Sequence, residues 1–509
     1  MKGTAMKLLI LTVLFVAPLV AQHAGAEAAV IQLNPASPGR VFEGIGAVSA
    51  GASTRLLPDY PEPQRAQILD FLFKPKFGAG FQHLKVEIGS GENSTCGSEP
   101  SHVVTREELA DPKPRGYEFW LMAEARKRNP QIILDCLPWA YPDWVGNRFS
   151  QESADWFASF LEVARKHYRL ELDWIAAAQN EMGTDLSWIR KALRPTLDTR
   201  GFAKVKLQAP DDDSEFWQID TNTWRGSHVA LRNPKTGDWS VVVVTGEKRT
   251  IQLTVWQGLK TGPVHVWKST EAAQFVQQPP LSLRNNTVEL ELEPNAIYTF
   301  TSTTGQQKGS HGTPPPRKAF PFPFEENFES YQSGDTPRYF SDQKGTFEVY
   351  QWPKGGSCLA QIVPAQGILW YDNWLLKPHT LFGDTNWQDC VIEADVLLAG
   401  GDVEIGGRYA DRDKLGYRWI LTRDGRWQFN WQYTTLAAGQ VVNFNPSAWH
   451  HLRLELNGDQ IIGFVDGKKL ATVTDKSRAK GMAFLASTYD RNLFDNVRVG
   501  PLPAEGQAQ

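Results

Sequence analysis

Chemistry in this chain concentrates in the stretch from Asp173 to Gly183, where an apolar run of strand length, Trp174 to Ala178, stops at Gln179, Asn180 and Glu181. A run of this kind is buried in a parallel α/β sheet, and its polar tip emerges at the carboxyl end, where reacting groups are held. A carboxylic acid beside an amide suits sugar chemistry. Glu181 would protonate a glycosidic oxygen, and Asn180 would hold the sugar's 2-hydroxyl, a contact that strengthens in the transition state. The plainer reading is a turn, because Asn after a strand is common turn chemistry. Trp139 also follows a strand end directly, as an aromatic platform for a sugar ring or as a core tryptophan fixed by Pro138. His83 and His102 read more readily as hydrogen-bonded structural groups than as pocket residues.

The elements that must carry these residues alternate strictly. Phe42 to Val48, Phe81 to Gly89, Ile132 to Leu137, Trp174 to Ala178 and Lys204 to Ala209 read as strands. Pro63 to Phe73, Gly116 to Arg128, Ser153 to Tyr168 and Leu186 to Leu193 read as helices between them. Trp156, Phe157, Phe160, Leu161 and Ala164 share one helical face, and Lys and Arg gather at the end of the helix before it, as the macrodipole favours. Strand and helix in alternation argue for a parallel sheet or barrel, placed at residues 41–220. From Ser227 the pattern turns all-β: a small sandwich at 227–302, joined by the lone strand 29–33, then a Pro-rich linker at 303–320. A second all-β unit at 324–500 has the texture of a lectin-like jelly roll. Of its region's Trp370, Trp374, Trp387, Trp427, Trp431 and Trp449, about two-thirds are expected in the core and the rest facing sugar or lipid.

A chain of 509 residues has room for two to four domains, and a net charge of −4 offers no basic field for nucleic acid. Lys2 and Lys7, the apolar stretch Leu8 to Val20 and the small residues Ala24-Gly25-Ala26 read as a secretory signal at 1–26, with no transmembrane anchor after it. Export would place the protein in a periplasm, outside the cell or, in a eukaryote, in the lysosome. Cys96, Cys136, Cys358 and Cys390 show no metal-ligand spacing, and their disulfide pairing is open.

In order along the chain stand Phe42-Glu43-Gly44-Ile45-Gly46-Ala47-Val48-Ser49, Leu84-Lys85-Val86-Glu87-Ile88-Gly89, Glu99-Pro100-Ser101-His102, Arg115-Gly116-Tyr117-Glu118, Leu137-Pro138-Trp139, Asn180-Glu181 and Phe494-Asp495-Asn496. This ordered set resembles the galactosylceramidase (galactocerebrosidase) family of glycoside hydrolases over nearly all of residues 41–499. The resemblance implies a (β/α) TIM-type barrel, a β-sandwich and a lectin-like domain, and a retaining enzyme that removes galactose from galactosylceramide. It implies Glu181 as acid/base with Asn180 as its partner, and Thr95 and Trp139 as sugar contacts. It requires no cofactor for catalysis. It also implies a structural calcium ion in the lectin-like domain, with Glu329 and Asp495 as acidic ligands.

One departure is expected. A complete barrel needs eight strands and about 250 residues, whereas five strands precede the sandwich here, so the last three, with the family's nucleophile, have no match near Asp211 to Asp220. Asp135, Asp213 and Glu215 are the nearest substitutes in topology, but groups on neighbouring strands approach a sugar from the leaving-group side. The alternative to an enzyme is therefore a non-catalytic galactoside- or glycolipid-binding protein, or an internally deleted, inactive family member. Open sheet edges would favour a dimer or a lipid-presenting partner.

Overall fold

The computed structural model describes residues 29–51, 55–209, 226–306, 316–370, 377–410 and 415–503. The signal-like stretch, Asp213, Glu215, Trp374 and residues 307–315 of the linker lie outside the described residues. Two compact units emerge: residues 1–42 with 217–308, and residues 43–216 with 309–509.

In the first unit β1 (Ala29–Leu33) pairs in parallel with Arg249–Val255, which also pairs with Thr287–Leu292. A five-stranded sheet completes the sandwich, in the order Val276–Leu281, Val264–Ser269, Ala296–Thr301, Trp239–Thr245, Gly226–Arg232. Ile31, Leu33, Val241, Val243, Leu253 and Phe300 fill the space between the sheets, each fully buried apolar side chain contributing about 1.5–3 kcal/mol.

The second unit opens with a parallel sheet in the order β2 (Gly46–Ser49), β3 (His83–Glu87), β4 (Ile133–Leu137), β5 (Trp174–Ala176), β6 (Lys206–Gln208). Between β2 and β5 lie α1 (Leu56–Asp59), α2 (Gln64–Phe73), α3 (Glu118–Arg128) and α4 (Gln151–Tyr168), and a further helical stretch precedes β6. Strand side chains alternate between the two faces. Leu84, Val86, Leu134, Cys136 and Ile175 join Phe73, Phe119, Met122, Trp156, Phe157 and Phe160 in one core with the helices. Their sequence neighbours Lys85, Asp135 and Ala176 carry the other face. There Lys85 Nζ lies 3.4 Å from Asp135 Oδ2 and donates to Gln208 Oε1 at 3.0 Å.

α4 starts where the Ser150 hydroxyl accepts the Ser153 N–H and ends on Arg169 in the left-handed region, the expected capping chemistry. The helix expected at Leu186 to Leu193 runs further, to Thr199, through a π-type stretch at Ile189–Leu193. That wider turn precedes Pro195, which has no N–H to give to a regular α ladder. Among the described residues the parallel sheet has five strands, and the next one, Gly226–Arg232, belongs to the sandwich.

The lectin-like part stacks two antiparallel sheets. One orders Phe347–Gln351, Ser357–Gln361, Leu493–Gly500, Cys390–Leu397, His450–Asn457, Gln460–Val465 and Lys468–Thr474. The other orders Ser341–Lys344, His379–Phe382, Met482–Ser487, Asp402–Tyr409, Tyr417–Thr422, Arg426–Trp431 and Thr434–Gln440. Trp419, Phe340, Phe347, Phe382 and Phe429 form the core between them. Of the tryptophans expected there, Trp427 is buried, whereas Trp370, Trp387, Trp431 and Trp449 are half-buried, each packed against an apolar cluster. The core share is thus smaller than expected, because these rings lie at the rims of their clusters. None of the four cysteines is disulfide-bonded. Among the described residues no helix is long and apolar enough to cross a membrane.

Candidate active site

Beyond β5 the chain stays buried through Gln179 and then turns, the Met182 N–H closing on the Gln179 carbonyl at 3.0 Å. Glu181 is the second central residue of that turn. It is exposed and sits at φ +53°, in the left-handed region. A non-glycine residue held there stores about 1–3 kcal/mol of strain, and such strain gathers at functional sites. The Asn180 N–H donates to the Pro138 carbonyl at 2.9 Å, so the ends of β4 and β5 are tied together beside Trp139.

Gln179 makes the tie rigid. Its Nε2 donates to the Trp139 carbonyl at 2.7 Å and the Leu369 carbonyl at 3.1 Å, and its Oε1 accepts from Arg148 at 3.0 Å. Trp139 is 6% exposed, packed with Leu137, Ala176, Ala50 and Trp370. Residues 366–370, from the lectin-like part, therefore lie across the strand ends, with Ile368 and Tyr141 exchanging two backbone hydrogen bonds. Sequence reading named Gln179 as part of the polar tip and Trp370 among the tryptophans of the lectin-like region without tying either to this site, and it missed Arg148. The only available signal was the polar Gln179 at the end of an apolar run.

The structure thus brings Asn180, Glu181 and Trp139 onto two adjacent strand ends. Thr95 lies on the loop after β3, exposed, its hydroxyl donating to the Ser94 carbonyl. Asp135 is elsewhere. It is 1% exposed and in register with Trp174 at the start of β5, paired with Lys85, well below the turn that carries Glu181. His102 is structural: its Nε2 meets the Ser159 hydroxyl at 2.8 Å and the Trp156 carbonyl at 3.1 Å, and burial pushes its pKa down to about 3. His83 sits half-exposed, 3.5 Å from Asp135. A cleft of about 640 Å³ lined by Arg55, Tyr60, Trp120, Tyr331 and Arg338 includes none of Glu181, Asn180, Trp139 or Thr95.

In the lectin-like part Glu329 accepts the Ser357 N–H at 3.0 Å. Asp495 is pushed up to about 6, first by burial and then by the charges of Asp395 and Glu329. These two acids therefore lie close enough to repel, a repulsion that a bound cation would relieve. Among the described residues no three His, Cys, Asp or Glu side chains form a metal-ligand group, so a calcium ion here would also need carbonyl or amide oxygens.

Residues 42–230 match the model of glycosyl hydrolase family 59, and residues 342–501 match that of the galactocerebrosidase C-terminal lectin domain. The Homo sapiens galactocerebrosidase is 46% identical over 641 aligned positions, covering 91% of this chain and 92% of that protein. The chain belongs to the galactocerebrosidase family of glycoside hydrolases. The Mus musculus galactocerebrosidase is 28% identical over the same shares of both chains. With 641 aligned positions against 509 residues, at least 132 positions of either alignment face a gap in this galactocerebrosidase-family chain. Among solved structures, the catalytic domain of GH30 xylanase C from Talaromyces cellulolyticus is similar at 12% identity and a TM-score of 0.35, covering 54% of this chain and 100% of that one.

Proposed function

We propose that this chain binds a terminal β-galactoside of the glycosphingolipid class at the ends of β3, β4 and β5, and that Glu181 is the proton donor to its glycosidic oxygen. The observation that carries the reading is the strained, exposed Glu181 turn, pinned through Asn180 to the strand end that presents Trp139. Glu181 protonates the leaving oxygen and Asn180 holds the 2-hydroxyl, while Gln179 and Arg148 fix the turn that carries both. Galactosylceramide is the proposed substrate, after the relatives' printed name, and an exported or lysosomal setting is proposed with it.

Retaining hydrolysis needs a second carboxyl about 5 Å from the first, on the opposite side of the sugar. Among the described residues Asp135 is paired and Glu87 is buried, so neither is placed to attack. This favours a second reading, a galactoside-binding protein with half a hydrolytic site, and external azide separates the two. Azide would attack the anomeric carbon from the face opposite the leaving oxygen while that C–O bond breaks and the Glu181 proton passes to the departing oxygen, giving α-galactosyl azide from a β-galactoside. A proton donor without its nucleophile should release that product from an aryl β-galactoside only when azide is supplied. Rapid turnover without azide would place a nucleophile in the chain. Neither product, with galactose still bound, would leave binding as the function.

Among the described residues β2 and β6 end the parallel sheet, which favours a dimer or a lipid-presenting partner as part of this proposal, and Ile45 and Val48 at the β2 edge are 56% and 59% exposed. Sedimentation as a monomer at micromolar concentration would remove the dimer. For calcium, millimolar addition should raise the melting temperature of the wild type, by the usual linkage to a native-state ligand, and leave Asp495→Asn unmoved. An equal response in both rules out Asp495 as a ligand.

A further inference from the structure

Glu87 at the end of β3, Glu99 in the loop that follows and Glu118 at the start of α3 are 0%, 2% and 1% exposed. None is ion-paired among the described residues, yet each has one oxygen engaged and one bare. Glu87 Oε2 accepts the Gly51 N–H at 2.9 Å and the Ser94 hydroxyl at 2.7 Å. Glu99 Oε1 accepts the Tyr117 and Glu118 N–H groups at 2.9 and 3.2 Å, and Glu118 Oε1 accepts the Ser49 hydroxyl at 2.6 Å. The opposite oxygens, Glu87 Oε1, Glu99 Oε2 and Glu118 Oε2, are buried without hydrogen-bond partners among the described residues. One accepting oxygen and one bare oxygen is the pattern of the neutral acid, whose carbonyl accepts and whose hydroxyl carries the proton. Buried carboxylates in a group would instead need cations.

The surroundings supply few cations. Arg55, the positive group felt by Glu99 and Tyr117, is engaged by Asp59 at 3.0 Å and by the carbonyls of Thr336 and Pro337. The other titratable neighbours are Tyr117, whose hydroxyl donates to the Gly51 carbonyl, and Tyr168 of α4. Together the three acids join the ends of β2 and β3, the start of α3 and the loop that includes Thr95.

We propose that Glu87, Glu99 and Glu118 form a proton-held latch, which fastens the Thr95 loop to the strand ends while all three are neutral and releases it as the first of them ionises. The importance of Thr95 rests on the function proposed above; the latch does not. Burial pushes Glu87 up to about 8 against its bonds to Gly51 and Ser94. Burial first, and then the neighbouring carboxyls, push Glu99 and Glu118 well above the usual carboxylate range. The sign follows. Unfolded carboxyls give up their protons near 4.5, the folded ones later, so stability from this site is full in acid and is lost as pH rises from about 5 to about 8.

Denaturation of the full chain across that range tests the proposal without any substrate. Glu87→Gln keeps an acceptor for Gly51 and Ser94 and removes the titration. Between about pH 5 and pH 8 the wild type's folded-to-unfolded ratio should fall up to tenfold more per pH unit than the variant's. Amide protection of residues 90–98, corrected for intrinsic exchange, should fall with pH in the wild type and hold in the variant. Parallel stability curves, or protection that does not respond to pH, overturn the latch. Should Glu87→Gln fail to fold, Glu118→Gln carries the same comparison, and its parallel course would be equally decisive. A dead enzyme with divergent curves would count against the proposed function and not against the latch.

Discussion

Glu181→Gln is expected to slow cleavage of an unactivated β-galactoside by about 10²–10⁴-fold, the usual contribution of a positioned general acid, with the sugar still bound at near wild-type affinity. The amide keeps the size of the side chain and the exposed turn, and removes only the transferable proton. The turn is exposed, so a variant that melts with the wild type would assign the loss to chemistry and not to folding. The comparison uses azide in both proteins if the wild type needs it. An aryl galactoside whose leaving group departs without a proton should lose far less. Equal losses on both substrates would mean that Glu181 shapes the pocket and does not donate, and wild-type turnover on the unactivated substrate would remove it from the mechanism.

Much of the scaffold was legible because it follows from periodicity. Trp156, Phe157, Phe160, Leu161 and Ala164 recur at helical spacing and face the core as that spacing requires. The apolar run that stops at Gln179 marked the turn bearing Glu181. Strand ends were less clear: Ala177 and Ala178 continue the apolar run but lie beyond β5, since burial in the core and membership of the ladder are separate conditions. What pins the site was not legible. Gln179 binds a backbone carbonyl at Leu369, 190 residues away, and no local pattern encodes that partner. Glu87, Glu99 and Glu118 were visible only as pieces of family-like motifs. Their burial depends on four separate segments meeting, which the alternation of strands and helices does not specify.

The second large effect is expected at Lys344→Met, about 3–5 kcal/mol of destabilisation near neutral pH. Lys344 and Glu92 are 0% and 1% exposed, with Nζ 3.5 Å from Oε2. Burial pushes the lysine down and the glutamate up, each opposed by the other's charge. Loss of hydration therefore penalises both groups, and the opposite charge offsets part of that cost for each, with Gln366 Oε1 also accepting from Lys344 at 3.3 Å. Removing the lysine strands a carboxyl that must either stay charged in an apolar setting or take up a proton. Because the folded Glu92 already holds its proton above the usual range, the variant's loss should be small near pH 5 and grow as pH rises toward 7.5. Glu92→Gln/Lys344→Met, with neither charge, should recover more than half of the loss at pH 7.5, since a missing pair costs less than half a pair. The remaining Glu92 oxygen accepts the Gly367 N–H at 2.8 Å, and Gly367 begins the short path to Trp370 over Trp139. Galactoside affinity should therefore weaken in the single variant and return with stability in the double one. Urea titrations at the two pH values, each paired with a binding measurement, read both effects. Additive losses in the double variant would show that Glu92 and Lys344 act independently, and the lectin-like segment would then have to be held over the sugar pocket by the Gln179 and Tyr141 bonds alone.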